Sequence, residues 1–141
     1  MVTFTRLTEA TIEAANDIAR LLPQLSSRTI RFGTEELTAM LRQERCECYV
    51  ATDGQRIVGM LTLVGYVIPT GEKWQLEDVV LDESLRGKGI ARRFLTWSIE
   101  EFRHGHEAVP VYLTSRPSRV AANALYRSLG FKSKETNNYK F

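Results

Sequence analysis

The feature that most constrains the fold is an apolar strand that passes through a glycine-rich turn into an amphipathic helix. The strand ends at Leu81, Gly87 and Gly89 interrupt the turn, and the helix runs on past Arg93. Backbone N–H groups at a helix start are unpaired, and together with the helix dipole they bind phosphate. Between Ser84 and Arg93 the basic side chains, with no acid among them, are Arg86, Lys88, Arg92 and Arg93. We therefore predict a site for a multiply phosphorylated ligand; the plainer alternative is a loop with solvated arginines.

The spacing of this turn excludes two common phosphate-binding loops. A Walker loop places Gly-Lys-Ser/Thr after four spacer residues, and the chain has no such run. A dinucleotide fingerprint needs a third glycine three residues after Gly89, where Arg92 stands instead. The ligand class must therefore be inferred from the rest of the sequence.

The first half of the chain predicts a strand, two helices and a β-hairpin. The predicted elements are a strand from Val2 to Arg6, a helix over Glu9–Leu22 capped by Thr8 and ended by Pro23, a helix capped by Thr34, and strands Cys46–Val50 and Ile57–Ile68 around the Asp53-Gly54 turn. Asp-Gly between alternating apolar residues is a strong hairpin signal.

The second half predicts a parallel crossover. The predicted elements are a strand Trp74–Leu81, a helix Gly89–Arg103, a strand Val109–Thr114, a helix that Ser118 caps and Gly130 ends, and a last strand Phe131–Phe141. A strand, helix, strand succession implies a right-handed parallel connection. Together with the hairpin, this predicts an α/β fold in the order β-α-α-β-β-β-α-β-α-β, with one mixed sheet and helices on both faces.

Composition supports one globular domain over residues 1–141, with 43% hydrophobic and 26% charged residues. A net charge of +2 is too small to indicate a nucleic-acid partner, and no apolar run is long enough for a membrane helix.

Cys46 and Cys48 fit neither a disulfide framework nor a zinc site, and the N-terminus lacks a leader pattern, so we expect a cytoplasmic protein. His104 and His106 have no carboxylate partners at ligand spacing, so we expect no metal.

Two motifs in the second half resemble the GCN5-related N-acetyltransferase (GNAT) superfamily. The family signature Q/R-x-x-G-x-G/A is matched by Arg86, Gly89 and Ala91. A second family pattern near the C-terminus is matched by Ala122, Leu125, Tyr126, Gly130 and Phe131. The order of elements is also similar, whereas the first half of the chain matches only in that order. The resemblance implies a GNAT-like fold and acetyl-CoA-dependent N-acetyltransferase activity.

The resemblance also implies where the cofactor lies. Acetyl-CoA is expected in a gap between the strand ending at Leu81 and the strand starting near Val109, which splay apart. Many members carry asparagine seven residues before the tyrosine, where this chain has Arg119, and Asn123 on the same helical ridge is a candidate substitute. The candidate cofactor-binding residues are Val79, Val80, Leu81, Arg86, Gly87, Lys88, Gly89, Ile90, Ala91, Arg92, Arg119, Asn123 and Tyr126.

Acetyl transfer to an amine needs a base for the amine proton, a donor for the carbonyl oxygen and an acid for the leaving thiolate. The resemblance implies Tyr126 as the acid and a backbone N–H around Val80 as the donor. The base is Glu77 or Asp78, which are adjacent and therefore face opposite ways on a regular strand. Glu77 shares its predicted face with Val79 and Leu81, and we favour it; a water chain is the alternative. The run of residues 76–79 resembles a strand of glucosamine-phosphate acetyltransferases, which does not identify the acceptor.

The segment between the first two helices, residues 26–33, is where family members form one wall of the acceptor cleft. It carries Arg28 and Arg31 and no acid, which would favour a small amine that also bears a carboxylate or phosphate. The alternative is that both arginines are solvated. The candidate acceptor-binding residues are Arg28, Arg31, Glu77 and Ser115. The competing function is a CoA-binding sensor or partner-binding module of the same fold, and either would be a monomer or a homodimer.

Overall fold

A five-stranded mixed sheet with helices on both faces forms the centre of the protein in a computed structural model that describes residues 1–141. The strands are β1 (Val2–Leu7), β2 (Cys46–Asp53), β3 (Arg56–Ile68), β4 (Gly71–Leu81) and β5 (Val111–Tyr112). The helices are α1 (Ile12–Leu25), α2 (Thr34–Arg42), α3 (Ile90–Gly105) and α4 (Val120–Ser128), with a one-turn 3-10 helix at Glu83–Leu85. The strands lie in chain order, antiparallel except for the parallel β4–β5 pair, which confirms the predicted mixed sheet.

Two apolar cores hold the layers together. Helices α1 and α2 cover one face, where Ile18 and Leu37 pack with Val50 and Met60. Helices α3 and α4 cover the other face, in a core that includes Phe94, Phe102, Leu61, Trp74 and Tyr126. Each large apolar side chain buried in this way contributes roughly 1.5–3 kcal/mol to folding. We call the two sides of the sheet the α1 face and the α3 face.

A β-bulge in β4 changes which side chains share a face. Thr62 pairs with Glu77 and Met60 pairs with Val80, so Leu61 alone opposes both Asp78 and Val79. Leu76 accordingly belongs to the core on the α3 face and Val80 to the core on the α1 face. The expectation that Glu77 and Asp78 face opposite ways is therefore wrong, because strict alternation does not pass through a bulge.

The helix termini differ from the sequence-based predictions by a few residues. Thr11, not Thr8, caps α1, and its hydroxyl accepts the Ala14 N–H at 3.1 Å. Pro23 lies within the last turn of α1 and does not end it. Gly33 precedes α2 in place of Thr34, with its N–H donating to the Glu36 carboxylate at 2.8 Å. The residue before α4 is Arg119 rather than Ser118.

The predicted last strand does not form, and β5 is shorter than predicted. Residues 132–141 contain no helix or strand, and β5 covers only Val111–Tyr112 of the predicted Val109–Thr114. The terminal segment has only Tyr139 and Phe141 as large apolar side chains, and both are exposed. A strand there would bury almost no apolar surface to offset its ordering entropy.

One buried polar cluster lies on the α3 face. Glu47 is only 6% exposed. One of its carboxylate oxygens accepts the Tyr49 hydroxyl at 2.6 Å, and the other lies 2.6 Å from His106 Nε2. The His106 ring stacks on Phe102 at 4.4 Å. This cluster ties the end of α3 to β2, which gives His106 a structural role.

We predict that Gly65→Ala destabilises the protein by about 1–3 kcal/mol, the usual range for an overpacked core. A Cβ at position 65 would lie 2.5 Å from Cε2 of Trp74, and that ring is held edge-on against Phe102 at 4.9 Å. The measurement is urea unfolding. Gly105→Ala is the control, because a Cβ there meets no atom within 4 Å. Equal midpoints for the two variants would contradict the prediction.

Candidate active site

The edge of β4 that faces β5 is open over most of its length. The two strands pair only at Trp74 with Val111 and Gln75 with Tyr112, so β4 continues to Leu81 with no strand paired to it on that side. This confirms the predicted splay of the two strands. Where backbone groups are unpaired along a strand edge, they are available to a ligand.

The direction of the free N–H groups follows from the pairing with β3. The Asp82 N–H donates to the Val58 carbonyl at 2.8 Å, and Val80 lies opposite Met60. Because hydrogen-bonding direction alternates along a strand, the Val80 N–H points to β3. The N–H groups of Val79 and Leu81 point into the gap between β4 and β5.

The glycine-rich turn leaves an open cradle in front of α3. Gly87 and Gly89 have φ values of 77° and 71°, which favour glycine, and no protein atom lies within 4 Å of a Cβ at either position. Gly89 offers no capping side chain to α3, so the first-turn N–H groups of Ile90, Ala91 and Arg92 lack side-chain acceptors. Four backbone and side-chain features of a phosphate site are thus adjacent: open space, free N–H groups, the helix dipole and basic side chains.

The predicted cofactor-binding side chains divide into free and engaged groups. Arg86 and Lys88 are exposed beside the cradle. The Arg92 guanidinium donates to the Ser128 hydroxyl at 3.0 Å and links α3 to α4. Ile90 is buried, so only its backbone can reach a ligand. The Asn123 amide donates to the Arg116 carbonyl at 2.9 Å, so one of its donor positions is already used.

Two residues of α1 that the sequence did not single out hold the approach to the cradle. The Arg20 guanidinium lies 3.0 Å from the Asp82 carboxylate and also donates to the Ile57 carbonyl at 2.9 Å. The Gln24 side-chain oxygen accepts the Glu83 N–H at 2.9 Å. The Ser84 N–H, with help from Arg20, holds the pKa of Asp82 below its usual value. These contacts join distant parts of the chain, and no local pattern indicates them.

Tyr126, on α4, belongs to the core on the α3 face. It is 7% exposed and packs edge-on against Phe131 at 6.1 Å. Burial raises the pKa of its hydroxyl, and the nearby Arg119 charge partly opposes that shift. The Ser115 hydroxyl, in the segment after β5, is enclosed and has no hydrogen-bond partner in the protein. An enclosed hydroxyl without a partner is available to a ligand that reaches it.

The bulge brings both acids to the α1 face. Glu77 is paired with Thr62, whose side chain lines a cavity of about 410 Å³ between α1, α2 and the sheet. Asp78 lines the same cavity and has φ 51°, the one positive value outside glycine. Burial, and then the charge of Asp78, raise the pKa of Glu77. The open edge of β4 therefore lies between two carboxylates on one face and a buried tyrosine on the other.

The two arginines of residues 26–33 are separated by the fold. Arg28 lines the 410 Å³ cavity together with Asp78. Arg31 lines a different hollow of about 210 Å³, beside Glu35 and Glu36. The structure thus places Arg28 with Asp78 and places Arg31 elsewhere.

No helix combines the length and the apolar character that spanning a membrane requires. No group of three or more His, Cys, Asp or Glu side chains is arranged to hold a metal ion.

Comparison with known families and structures identifies relatives of this arrangement. The family model described as acetyltransferase (GNAT) family matches residues 10–131. Among curated proteins, no sequence matches this chain.

The structural neighbours include an aminoglycoside acetyltransferase from an uncultured soil metagenomic sample, in complex with trehalose. That structure has a TM-score of 0.82 at 20% identity, covering 99% of this chain and 94% of the other. A transcriptional regulator from Bacillus halodurans C-125 has a TM-score of 0.79 at 26% identity, covering 100% of both chains. A ribosomal-protein-alanine N-acetyltransferase from Brucella melitensis biovar Abortus 2308 has a TM-score of 0.75 at 18% identity, covering 100% of this chain and 98% of the other.

Proposed function

The chain belongs to the GNAT acetyltransferase family, and from this premise we propose that it transfers an acetyl group from acetyl-CoA to a primary amine of a small molecule. The observation that carries the proposal is the open edge of β4, which leads directly into the phosphate cradle before α3. A carbonyl on the strand edge and a diphosphate in the cradle would then belong to one extended ligand.

The residues present fit acetyl-CoA. The space at Gly87 and Gly89 admits phosphate oxygens to the backbone, and Arg86 and Lys88 supply the charge. The unpartnered Ser115 hydroxyl lies beyond the end of β5, the strand that flanks the gap. Acetyl-CoA, when bound, supplies an acetyl group activated as a thioester. The remaining chemistry is a matter of holding and moving protons.

We assign three tasks to residues of this chain. The N–H groups of Val79 and Leu81 donate to the oxygen on which negative charge develops. The Tyr126 hydroxyl donates a proton to the leaving sulfur. A tyrosine hydroxyl has an ordinary pKa of about 10 and is protonated at neutral pH, and burial raises the pKa of Tyr126 further. Glu77 accepts the amine proton directly or through water, since an alkylamine has a pKa of about 10.4 and attacks only as the free base.

A small-molecule acceptor is favoured by the cavity on the α1 face. A volume of about 410 Å³ is within the usual range for small-molecule sites. The soil-metagenome neighbour is named for a small-molecule acceptor, whereas the Brucella neighbour is named for a protein acceptor.

We propose a monomer or homodimer in the cytoplasm, where the free thiols of Cys46 and Cys48 stay reduced. Burial raises the pKa of Cys48 to about 12, which keeps that thiol protonated.

Acetyl-CoA should bind and raise the melting temperature, because a ligand of the native state alone adds about 2.7 kcal/mol at a hundred times its Kd. Arg86→Ala should raise the Kd roughly tenfold by removing a charged phosphate contact. Arg42→Ala, in the last turn of α2, is the matched control. The measurements are thermal shift, calorimetry and thiol release with an amine panel. Binding without turnover would favour a sensor, and no binding at millimolar acetyl-CoA would refute the proposal.

Tyr126→Phe should lower kcat by about 10²- to 10⁴-fold, the usual contribution of an acid catalyst, because the hydroxyl acts only as charge develops on sulfur. The Kd for acetyl-CoA should stay within a factor of about three, since the buried ring keeps its packing. Steady-state kinetics beside calorimetry separate the two effects. The exposed Tyr139→Phe is the control. If Tyr126→Phe keeps full turnover, the tyrosine is structural.

Glu77→Gln should lower kcat/KM most at pH values above the pKa of Glu77 and below that of the amine, where the wild-type carboxylate is ionised and the amine still carries its proton. As the pH falls through the pKa of Glu77, which is raised above its ordinary value of 4.5, the wild type also loses its base and the difference between the two proteins shrinks. The variant should regain part of its rate at high pH, where more of the amine is already the free base. Asp78→Asn is the companion variant, since asparagine tolerates a positive φ. A loss that is equal at every pH would argue against Glu77 as the base.

A further inference from the structure

The residues that line the cavity on the α1 face indicate which kind of amine the cavity suits. Seven of its eleven lining residues are hydrophobic. They come from α1, with Leu22 and Leu25, from the segment after it, with Ile30 and Phe32, and from α2 and β3, with Met40 and Met60. Such walls desolvate whatever they enclose, so a ligand with a polar body would lose hydrogen bonds on entry.

The cavity also contains one positive and one negative side chain. Arg28 and Asp78 are its only charged lining residues. Neither side chain forms an ion pair or hydrogen bond with another side chain of the protein. Both residues are exposed, so water solvates the two charges in the free protein. A ligand that carries both a carboxylate and an ammonium group can pair with Arg28 and Asp78 at once.

The positions of the two charges determine how a ligand with both charges would be oriented in the cavity. Asp78 adjoins Val79, whose N–H faces the gap where we place the acetyl group, so the ammonium group belongs at Asp78. Arg28 lies in the segment after α1 and presents a guanidinium, whose forked donors match a carboxylate. The apolar walls lie around both groups.

We propose, resting on the proposed function, that the acceptor is a free amino acid with an aliphatic or aromatic side chain. Its ammonium group lies against Asp78, its carboxylate against Arg28, and its side chain against the apolar walls. In the transfer, the ammonium group first gives one proton to Glu77, directly or through water. The free amine nitrogen then forms the new amide bond to the acetyl carbon, the carbon–sulfur bond breaks, and the sulfur leaves as CoA thiol with the Tyr126 proton. The second nitrogen proton returns to the Tyr126 oxygen through water, so the one proton released overall is the one on Glu77.

The same features exclude polycationic acceptors. A polyamine or an aminoglycoside would bring several ammonium groups to a cavity with one carboxylate and one arginine. The extra charges would lose their hydration against apolar walls, and Arg28 would repel them. A protein N-terminus has the ammonium group but no adjacent carboxylate for Arg28.

The test compares leucine, methionine and phenylalanine with their carboxamides, with serine and with spermidine, as acceptors for the full chain with acetyl-CoA. We expect kcat/KM for each apolar amino acid to exceed that for its amide by roughly tenfold or more, the effect of one charge-assisted contact. Arg28→Gln should abolish this preference. Arg31→Gln is the matched control and should keep it, because Arg31 lines the other hollow.

Calorimetry of phenylalanine against phenylalaninamide, with CoA present, gives a readout that does not depend on turnover. Tighter binding of phenylalanine that is lost in Arg28→Gln alone would support the proposal. Equal handling of acids and amides, a preference for spermidine or serine, or the same effect from Arg31→Gln would overturn it. If other amines are acetylated in those cases, the acetyltransferase proposal stands. Failure of acetyl-CoA itself to bind would refute the proposed function. The calorimetry with phenylalanine and its amide would still show whether the cavity binds amino acids through Arg28.

Discussion

The bulge in β4 is the constraint on which the rest of the site depends. Because β4 has one extra residue opposite Leu61, Leu76 packs in the core on the α3 face and Val80 packs in the core on the α1 face. Without it, alternation would put Leu76 and Val80 on one face and separate Glu77 from Asp78. The positive φ of Asp78 carries an intrinsic energetic penalty, which the pairing on both sides of the bulge offsets. Both cores and both acids are therefore fixed by one irregularity.

Helix α1 contacts both the acceptor cavity and the segment that leads to the phosphate cradle. Its apolar side, through Leu22 and Leu25, lines the cavity for the acceptor. Its polar side, through Arg20 and Gln24, holds Asp82 and Glu83 at the entrance to the phosphate cradle. The contacts made by Arg20 are partly exposed, and each contributes little alone. Together with Gln24 they set the direction in which the chain leaves β4, and that direction decides where the free N–H groups of α3 point.

The parts of this molecule that the sequence predicts are those fixed by neighbouring residues. The glycine-rich turn, the helix after it and the Asp53-Gly54 hairpin carry their signals within a few residues and appear where predicted. The bulge depends on how β4 pairs with Met60 and Thr62, and the separation of Arg28 from Arg31 depends on where α2 packs. The predicted terminal strand does not form because residues 132–141 have too few apolar side chains to bury.

Placing Glu77 and Asp78 on the same face gives each a different task. The charge of Asp78 adds to burial in raising the pKa of Glu77, so Glu77 takes up a proton more readily than an isolated glutamate. A base with that property is better matched to neutral pH, where it must first be ionised and then accept a proton. Asp78 lines the cavity and suits binding of an ammonium group. Neutralising Asp78 with that group would lower the pKa of Glu77 again, so acceptor binding itself would help to ionise the base.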